Sequence, residues 1–220
     1  MTEPVDAAPK RSRLPILATL AAIFVGVMIW SVIRPKDYAT WLMEVAPALI
    51  GAAILVATYR RFPLTTLSYG LITIHAVILF VGGHYTYAEV PLFDWIRDAF
   101  DLSRNHYDRL GHFVQGFVPA ILAREILLRT SPLCRGGWLF FLVVCVCLAI
   151  SAAYEILEWF SVVVGAEAAT DFLGMQGDVW DAQKDMTLAL VGAILAQLLL
   201  ARLHDRQMKD VESSKFNVEL

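Results

Sequence analysis

Six long apolar stretches separated by short polar connections dominate the chain. They run from about Leu14 to Ile33, Trp41 to Thr58, Leu64 to Gly82, Gly111 to Leu128, Trp138 to Val164 and Met186 to Leu203. Each is near the roughly 20 residues that an α-helix needs to cross a bilayer core. The polar/apolar alternation of membrane β-strands does not occur, and backbone amides in lipid must be satisfied within helices. The pattern predicts an all-α, polytopic bundle of six transmembrane helices over residues 14–203. Residues 1–13 and 204–220 are then polar tails, too short to be domains.

Composition agrees with that setting. Apolar residues make up 58% of the 220, charged residues only 18%, and the mean hydropathy is +0.59. Such a chain is too hydrophobic for an ordinary soluble domain. Lys10, Arg11 and Arg13 before the first stretch resemble the start of a secretory signal. The apolar run is long, however, and Trp30, Ser31 and Val32 offer no small-residue cleavage site, so a retained helix is expected. Cys134, Cys145 and Cys147 form neither a disulfide framework nor a Cys-x-x-Cys metal site.

Charge sets the orientation. With the N-terminus inside, Lys10, Arg11, Arg13, Arg60, Arg61, Arg124, Arg129, Arg135, Arg202, Arg206, Lys209 and Lys215 are cytoplasmic. Only Arg34, Lys36, Arg97, Arg104, Arg109 and Lys184 face outward. Basic residues favour the cytoplasmic side, so both termini are expected there, in a multi-pass protein of the bacterial inner (cytoplasmic) membrane. The external connection over about residues 83–110 contains an amphipathic stretch, Leu92 to Leu102, that reads as a short helix on the membrane surface, a lid or collar over the outer end. A second connection, Gly165 to Gly177, is expected to turn tightly into the last helix.

Against this apolar background one set of ionisable residues recurs at the outer end of three successive helices. In NHYDRLGHF, Asp108, His112 and Gln115 stand at i, i+4 and i+7. In SAAYEILEW, Ser151, Glu155 and Glu158 repeat that spacing, and in GDVWDAQKDM Asp178, Asp181 and Asp185 stand at i, i+3 and i+7. Each helix therefore presents one polar stripe at similar depth. Charges at the edge of a hydrocarbon layer are costly and mark either binding or mutual pairing. So many carboxylates cannot all ionise side by side without compensation. The compensating charge is a protonated His112 or His106, a clamp by Arg109 or Arg104, bound protons, or a divalent cation. Oxygen-rich ligands with one imidazole suit magnesium, manganese or calcium, and two imidazoles would admit zinc or iron. The candidate metal ligands are Asp108, His112, Glu155, Glu158, Asp178, Asp181 and Asp185. The same set without Asp178 is the candidate catalytic group.

The motifs NHYDRLGHF, EILEW and QGDVWDAQKDM resemble those of the YjdF family of bacterial inner-membrane proteins of unknown function, over nearly the whole chain. More distantly the order of motifs is similar to VanZ-like membrane proteins, which are linked to glycopeptide resistance. That resemblance implies that Asp108 and His112 match a D-x-x-x-H element. Glu155 or Glu158 would match the acid of the following helix, and Asp181 or Asp185 the aspartate leading the last one. Extra acidic residues and a longer external loop set this chain apart from the VanZ pattern.

Plainer roles exist for the same residues. Asp108 with His112 or Arg109 makes an ion pair at a helix start. Asp178 and Asp181 cap the last helix while Asp185 pairs with Lys184 or Arg109. Glu155 and Glu158 have no basic residue within a turn and so bond across helices in this reading. Arg124 and Glu125 read as a surface pair, His75 as a mid-membrane histidine bonded to a neighbouring helix, and His84 as solvent-facing. Glu44 can join the cluster from another side. Trp41, Trp95, Trp138, Trp159 and Trp180 suit an interfacial belt.

Three functional classes stay open. One is an enzyme acting on a lipid-borne phosphate or envelope precursor, with membrane lipids and a lipid-linked substrate as its partners and a divalent cation as its cofactor. The second is a proton- or cation-coupled transporter, and the third a scaffold held by an interhelical ion-pair network. Nucleophile-elbow, P-loop, dinucleotide and HExxH signatures do not occur. Nucleic acid is excluded as a partner by a net charge of −3, with basic residues spent on topology.

Overall fold

The computed structural model describes residues 13–163 and 176–216. Among these residues it is all helical: α1 (Leu14–Val32), α2 (Tyr38–Thr58), α3 (Thr66–Tyr85), a 3₁₀ turn at Tyr87–Glu89, α4 (Pro91–Ala99), α5 (Tyr107–Thr130), α6 (Gly137–Val163) and α7 (Asp181–Phe216). Five of them, α1, α2, α3, α6 and α7, are long and apolar enough to cross a membrane. The sixth long helix, α5, carries Asp108, Arg109, His112, Arg124, Glu125 and Arg129 along its 24 residues, which lowers its hydropathy.

The polar content of α5 follows from its place in the bundle. It is the central helix, packed most extensively on α7 and also on α6 and α3. Its charged residues meet protein where an outer helix meets lipid: Asp108, His112, Arg124 and Glu125 are all buried. The α5–α7 contact depends on missing side chains. A Cβ on Gly116 would overlap the backbone of Ala189, and one on Gly192 would overlap the carbonyl of Phe113. Ala189, Ala193 and Ala196 are fully buried along the same seam. Small residues let the two backbones touch, the packing mode of helices in lipid, where close van der Waals contact replaces the hydrophobic drive.

The remaining helices are arranged around that pair. α3 packs on α1, α2 and α5. One apolar core joins α2, α3, Tyr87 and Tyr107 around Phe80; another joins α5, α6 and α7 around Ile121, Val143 and Ala193. α2 starts at Asp37, whose side chain accepts from Thr40 N at 2.7 Å. That bond holds the Asp37 carboxyl below the usual aspartate range.

Boundaries differ from the apolar pattern where polar residues extend helices. α5 begins at Tyr107, before the apolar run at Gly111, and α7 begins at Asp181, before Met186. α7 also runs past Leu203 to Phe216, with His204, Met208 and Val211 buried. At 1.5 Å per residue its 36 residues extend about 54 Å, well beyond a ~30 Å hydrocarbon layer. The amphipathic segment forms α4, ending at Ala99. Asp101, at φ +52°, turns the chain back toward α5. Of the Gly165–Gly177 connection only residues 176 and 177 lie within the described residues, with Gly177 at φ +84°.

Candidate functional site

Two loops set the register of the acidic helices. Asn105, fully buried, donates from its side chain to Val90 O at 3.1 Å and to Asp94 Oδ1 at 3.0 Å, which ties α4 to the start of α5. Its backbone exchanges two bonds with the Gln176 side chain, Asn105 N to Oε1 and Nε2 to Asn105 O, each 3.0 Å. The turn into α7 is thereby fixed beside the turn into α5. Asp178 Oδ1 accepts from Trp180 N at 3.1 Å and opens α7.

One half of the cluster is compensated by arginine. Arg109 reaches Asp185 at 2.5 Å, Asp181 at 2.6 Å and Asp178 at 3.0 Å. Arg104 pairs with Asp181 and lies 3.4 Å from Asp108 and 3.8 Å from Asp178. Lys184 binds Asp178 at 2.6 Å, and does not pair with Asp185. That bond, followed by the Trp180 N–H, holds the Asp178 carboxyl below the usual range.

The other half is not compensated. His112 Nε2 lies 3.3 Å from Asp108 Oδ1, while Nδ1 lies 3.0 Å from Gln115 Oε1 and 3.6 Å from Glu155 Oε1. Both ring nitrogens thus face oxygen, yet a neutral imidazole has one N–H to give. With the Gln115 carbonyl turned to the ring, a second proton on the ring or a cation between the ring and a carboxylate would satisfy both nitrogens. Glu155 Oε1 and the fully buried Ser151 Oγ lack hydrogen-bond partners. Ligand atoms of Asp108, His112 and Asp185 lie within 4.8 Å of one another, as do those of His112, Glu155 and Glu158. His112 is common to both groups.

A cavity of about 210 Å³ opens on this second half, lined by Glu44, His75, Tyr87, Asp108, His112, Tyr154 and Glu158 among others. Glu44 and Glu158 are 4% and 7% exposed. At this end of the bundle the carboxyls of Glu44, Asp108, Glu155, Glu158, Asp178, Asp181 and Asp185 face Arg104, Arg109, Lys184 and His112. Among the described residues of the cluster, seven acids against four bases leave three negative charges in excess even with His112 protonated. Excess charge in a low-dielectric site is expensive and calls for bound protons or a cation.

Every candidate acid and His112 therefore lie at one end of α5, α6 and α7, and Glu44 joins them from α2. His106 stands outside the set. It precedes α5, where partial burial and then Arg104 and Arg109 hold its ring below the ordinary histidine range. His84 is also apart, and it is not solvated as expected: its ring packs 4.4 Å from Trp30 and its Nδ1 lies 3.1 Å from Ser31 O. Tyr87 and Tyr154 were invisible in sequence, because a tyrosine at a helix end ordinarily reads as an interfacial anchor.

The surface pair expected of Arg124 and Glu125 is corrected. Both are buried and they bond elsewhere, Arg124 to Asp205 at 2.8 Å and Glu125 to Arg129 at 2.8 Å and His204 at 3.1 Å. For Asp205 and His204 the cause is the extension of α7 past Leu203, which brings partners that own-helix spacing cannot reveal.

Residues 16–206 match the family described as "Predicted membrane protein (DUF2238)". The chain is 50% identical over 194 residues to the inner membrane protein YjdF of Escherichia coli (strain K12), covering 88% of this chain and 93% of that relative. No solved structure matches.

Proposed function

The chain belongs to the DUF2238 family of membrane proteins, and from that premise we propose an inner-membrane protein with six spans, both termini cytoplasmic and a divalent-cation site facing outward. The sixth span is α5, whose 24 residues extend about 36 Å and whose polar side chains face protein. The acidic starts of α5 and α7 and the acidic end of α6 gather at one end, as alternating helix directions require. The basic residues at the other end follow the positive-inside pattern. Residues 1–13 and 204–220 are the cytoplasmic tails of this scheme, although α7 continues as helix into the second as far as Phe216.

The cation reading rests on His112, whose two nitrogens both face oxygen acceptors. An Nδ1–H given to Gln115 would fix the tautomer and leave Nε2 as the ligand. Asp108 and Asp185 supply the oxygens on that side of the ring, while Glu155 and Glu158 lie toward Nδ1. One nitrogen among carboxylates, with His106 elsewhere, favours magnesium, manganese or calcium over zinc. Asp178 and Asp181 hold Arg104 and Arg109 in place. On a lipid-borne phosphate the cation would polarise a phosphoryl oxygen, and Glu155, whose Oε1 has no hydrogen-bond partner, would take a proton.

The test is metal analysis of detergent-purified wild type beside His112→Gln and Asp108→Asn, with unfolding temperature measured on each. Stoichiometric metal that both variants lose supports the site. Metal-free wild type, with large losses of stability in both variants, favours the second reading, an interhelical lock. That reading draws on the arginine pairing of Asp178, Asp181 and Asp185.

A further inference from the structure

The acid-lined cavity does not end at the polar cluster. A second, apolar hollow of about 340 Å³ shares Pro47, His75, Leu79 and Pro119 with it and continues along α2, α3 and α5 to Thr58, Phe62 and Ile126. The shared lining joins the two hollows into one groove with α3 and α5 as its floor, walled by α2 along its length and by α6 at the polar end. The groove is open sideways: Ile54 and Ile126 are 56% and 41% exposed along its length, and Ile150 is 42% exposed at its polar end. In a bilayer that side is hydrocarbon.

The polar end has its own chemistry. Glu44 and Glu158 line it, are more than nine-tenths buried, and have neither hydrogen-bond nor ion-pair partners among the described residues. Tyr87 and Tyr154 stand beside them. Two unpaired carboxylates with aromatic rings at hand suit a compact organic cation. At about 210 Å³ the polar chamber falls below the ~300–1,000 Å³ of drug-sized ligand sites, which leaves room for a small head group and not for a saccharide.

We infer that the groove between α2 and α6 takes up a membrane amphiphile with a protonated amine in its head, entering from the bilayer side, its chain along α2 and α5 and its amine on Glu44 and Glu158. This deepens the proposed action on a lipid-borne phosphate: a head carrying phosphate and amine would set the first on the His112 cation and the second on the two glutamates.

The experiment uses the full chain in vesicles of phosphatidylglycerol, with trace phosphatidylethanolamine or phosphatidylglycerol carrying a photoactivatable group on the acyl chain. The amine-headed probe is expected to label wild type about tenfold more than the anionic one, the effect of one productive ion pair, at peptides from α2 and α5. Glu44→Gln with Glu158→Gln should bring the two probes to parity. Gly51→Phe should cut labelling by the amine probe while leaving both glutamates, since a side chain at Gly51 projects into open groove. Equal labelling of wild type by the two lipids, a preference that survives the double substitution, or labelling indifferent to Gly51→Phe would overturn the inference. Metal content of the same samples separates the two readings. Metal-free protein that keeps the preference sinks only the cation site, and metal-loaded protein without it sinks only the amine pocket.

Discussion

Glu125 and His204, 79 residues apart in sequence, meet with no solvent exposure at 3.1 Å on the side of the bundle opposite the acidic cluster. Glu125 is saturated. Besides His204 it accepts from Thr65 N at 2.9 Å, Thr65 Oγ1 at 2.9 Å, Ser68 Oγ at 2.7 Å and Arg129 at 2.8 Å. One carboxylate thus joins the start of α3, the inner part of α5 and the extension of α7. Glu125→Ala would strand Arg129 and the Thr65 donors in a buried site and is expected to cost about 3–5 kcal/mol. Glu125→Gln, which keeps some acceptors, should cost less. Denaturant unfolding in detergent, read by tryptophan fluorescence, checks the order.

The α5–α7 seam makes a second expectation. Gly116→Ala places a methyl into the Ala189 backbone, which cannot move aside as a side-chain tip would. A loss of about 1–3 kcal/mol or more is expected. Gly51→Ala, whose Cβ meets nothing within 4 Å, should be close to neutral or slightly stabilising, because Ala is the better helix former. Equal effects at the two positions in thermal unfolding would show that the seam is not tight.

How much of this was readable in sequence depends on the range of the interaction. Asp108 and His112, or Glu155 and Glu158, share a helix face by spacing alone, and three such faces at one depth implied a common site. Glu44 could be suspected only from its depth, and the cavity that joins it to Tyr87 and Tyr154 exists through packing between helices distant in sequence. The Arg124 and Glu125 misreading has the same root. Charges at a helix end normally snorkel to water, and only the continuation of α7 to Phe216 supplies the buried His204 and the half-buried Asp205 as partners. Polar residues also hid the true starts of α5 and α7, since apolar runs report lipid contact and not helix length.

Arg109 is the hub of the compensated half of the cluster. Its loss leaves Asp185, 1% exposed, without its ion-pair partner. Arg109→Ala is expected to destabilise by about 3–5 kcal/mol. Arg109→Lys should recover only part of that, because one ammonium cannot replace a guanidinium that serves Asp178, Asp181 and Asp185 together. If a cation does sit on Asp185 and His112, added manganese should raise the melting temperature of wild type and raise that of His112→Gln much less.

Lys184 and Asp178 supply a pH test with a definite sign. The Asp178 carboxyl is held below its ordinary value of 3.8, first by its bond to Lys184. A depressed folded-state pKa means that the pair stabilises the fold at every pH above about 3.8 and that this contribution fades as pH falls through the lowered value. Lys184→Met removes the partner on an exposed side chain, so the penalty at neutral pH should be small. It should nonetheless be measurable as a drop in melting temperature relative to wild type at pH 7. That gap should hold constant down to pH 5, where Asp178 is still ionised in both proteins, and close as pH falls through the lowered value and the carboxyl is protonated in both states. A gap that closes between pH 7 and pH 5 would instead assign the titration to another carboxyl of the neighbouring acidic cluster, and Lys184 would then act on that cluster and not on Asp178 alone.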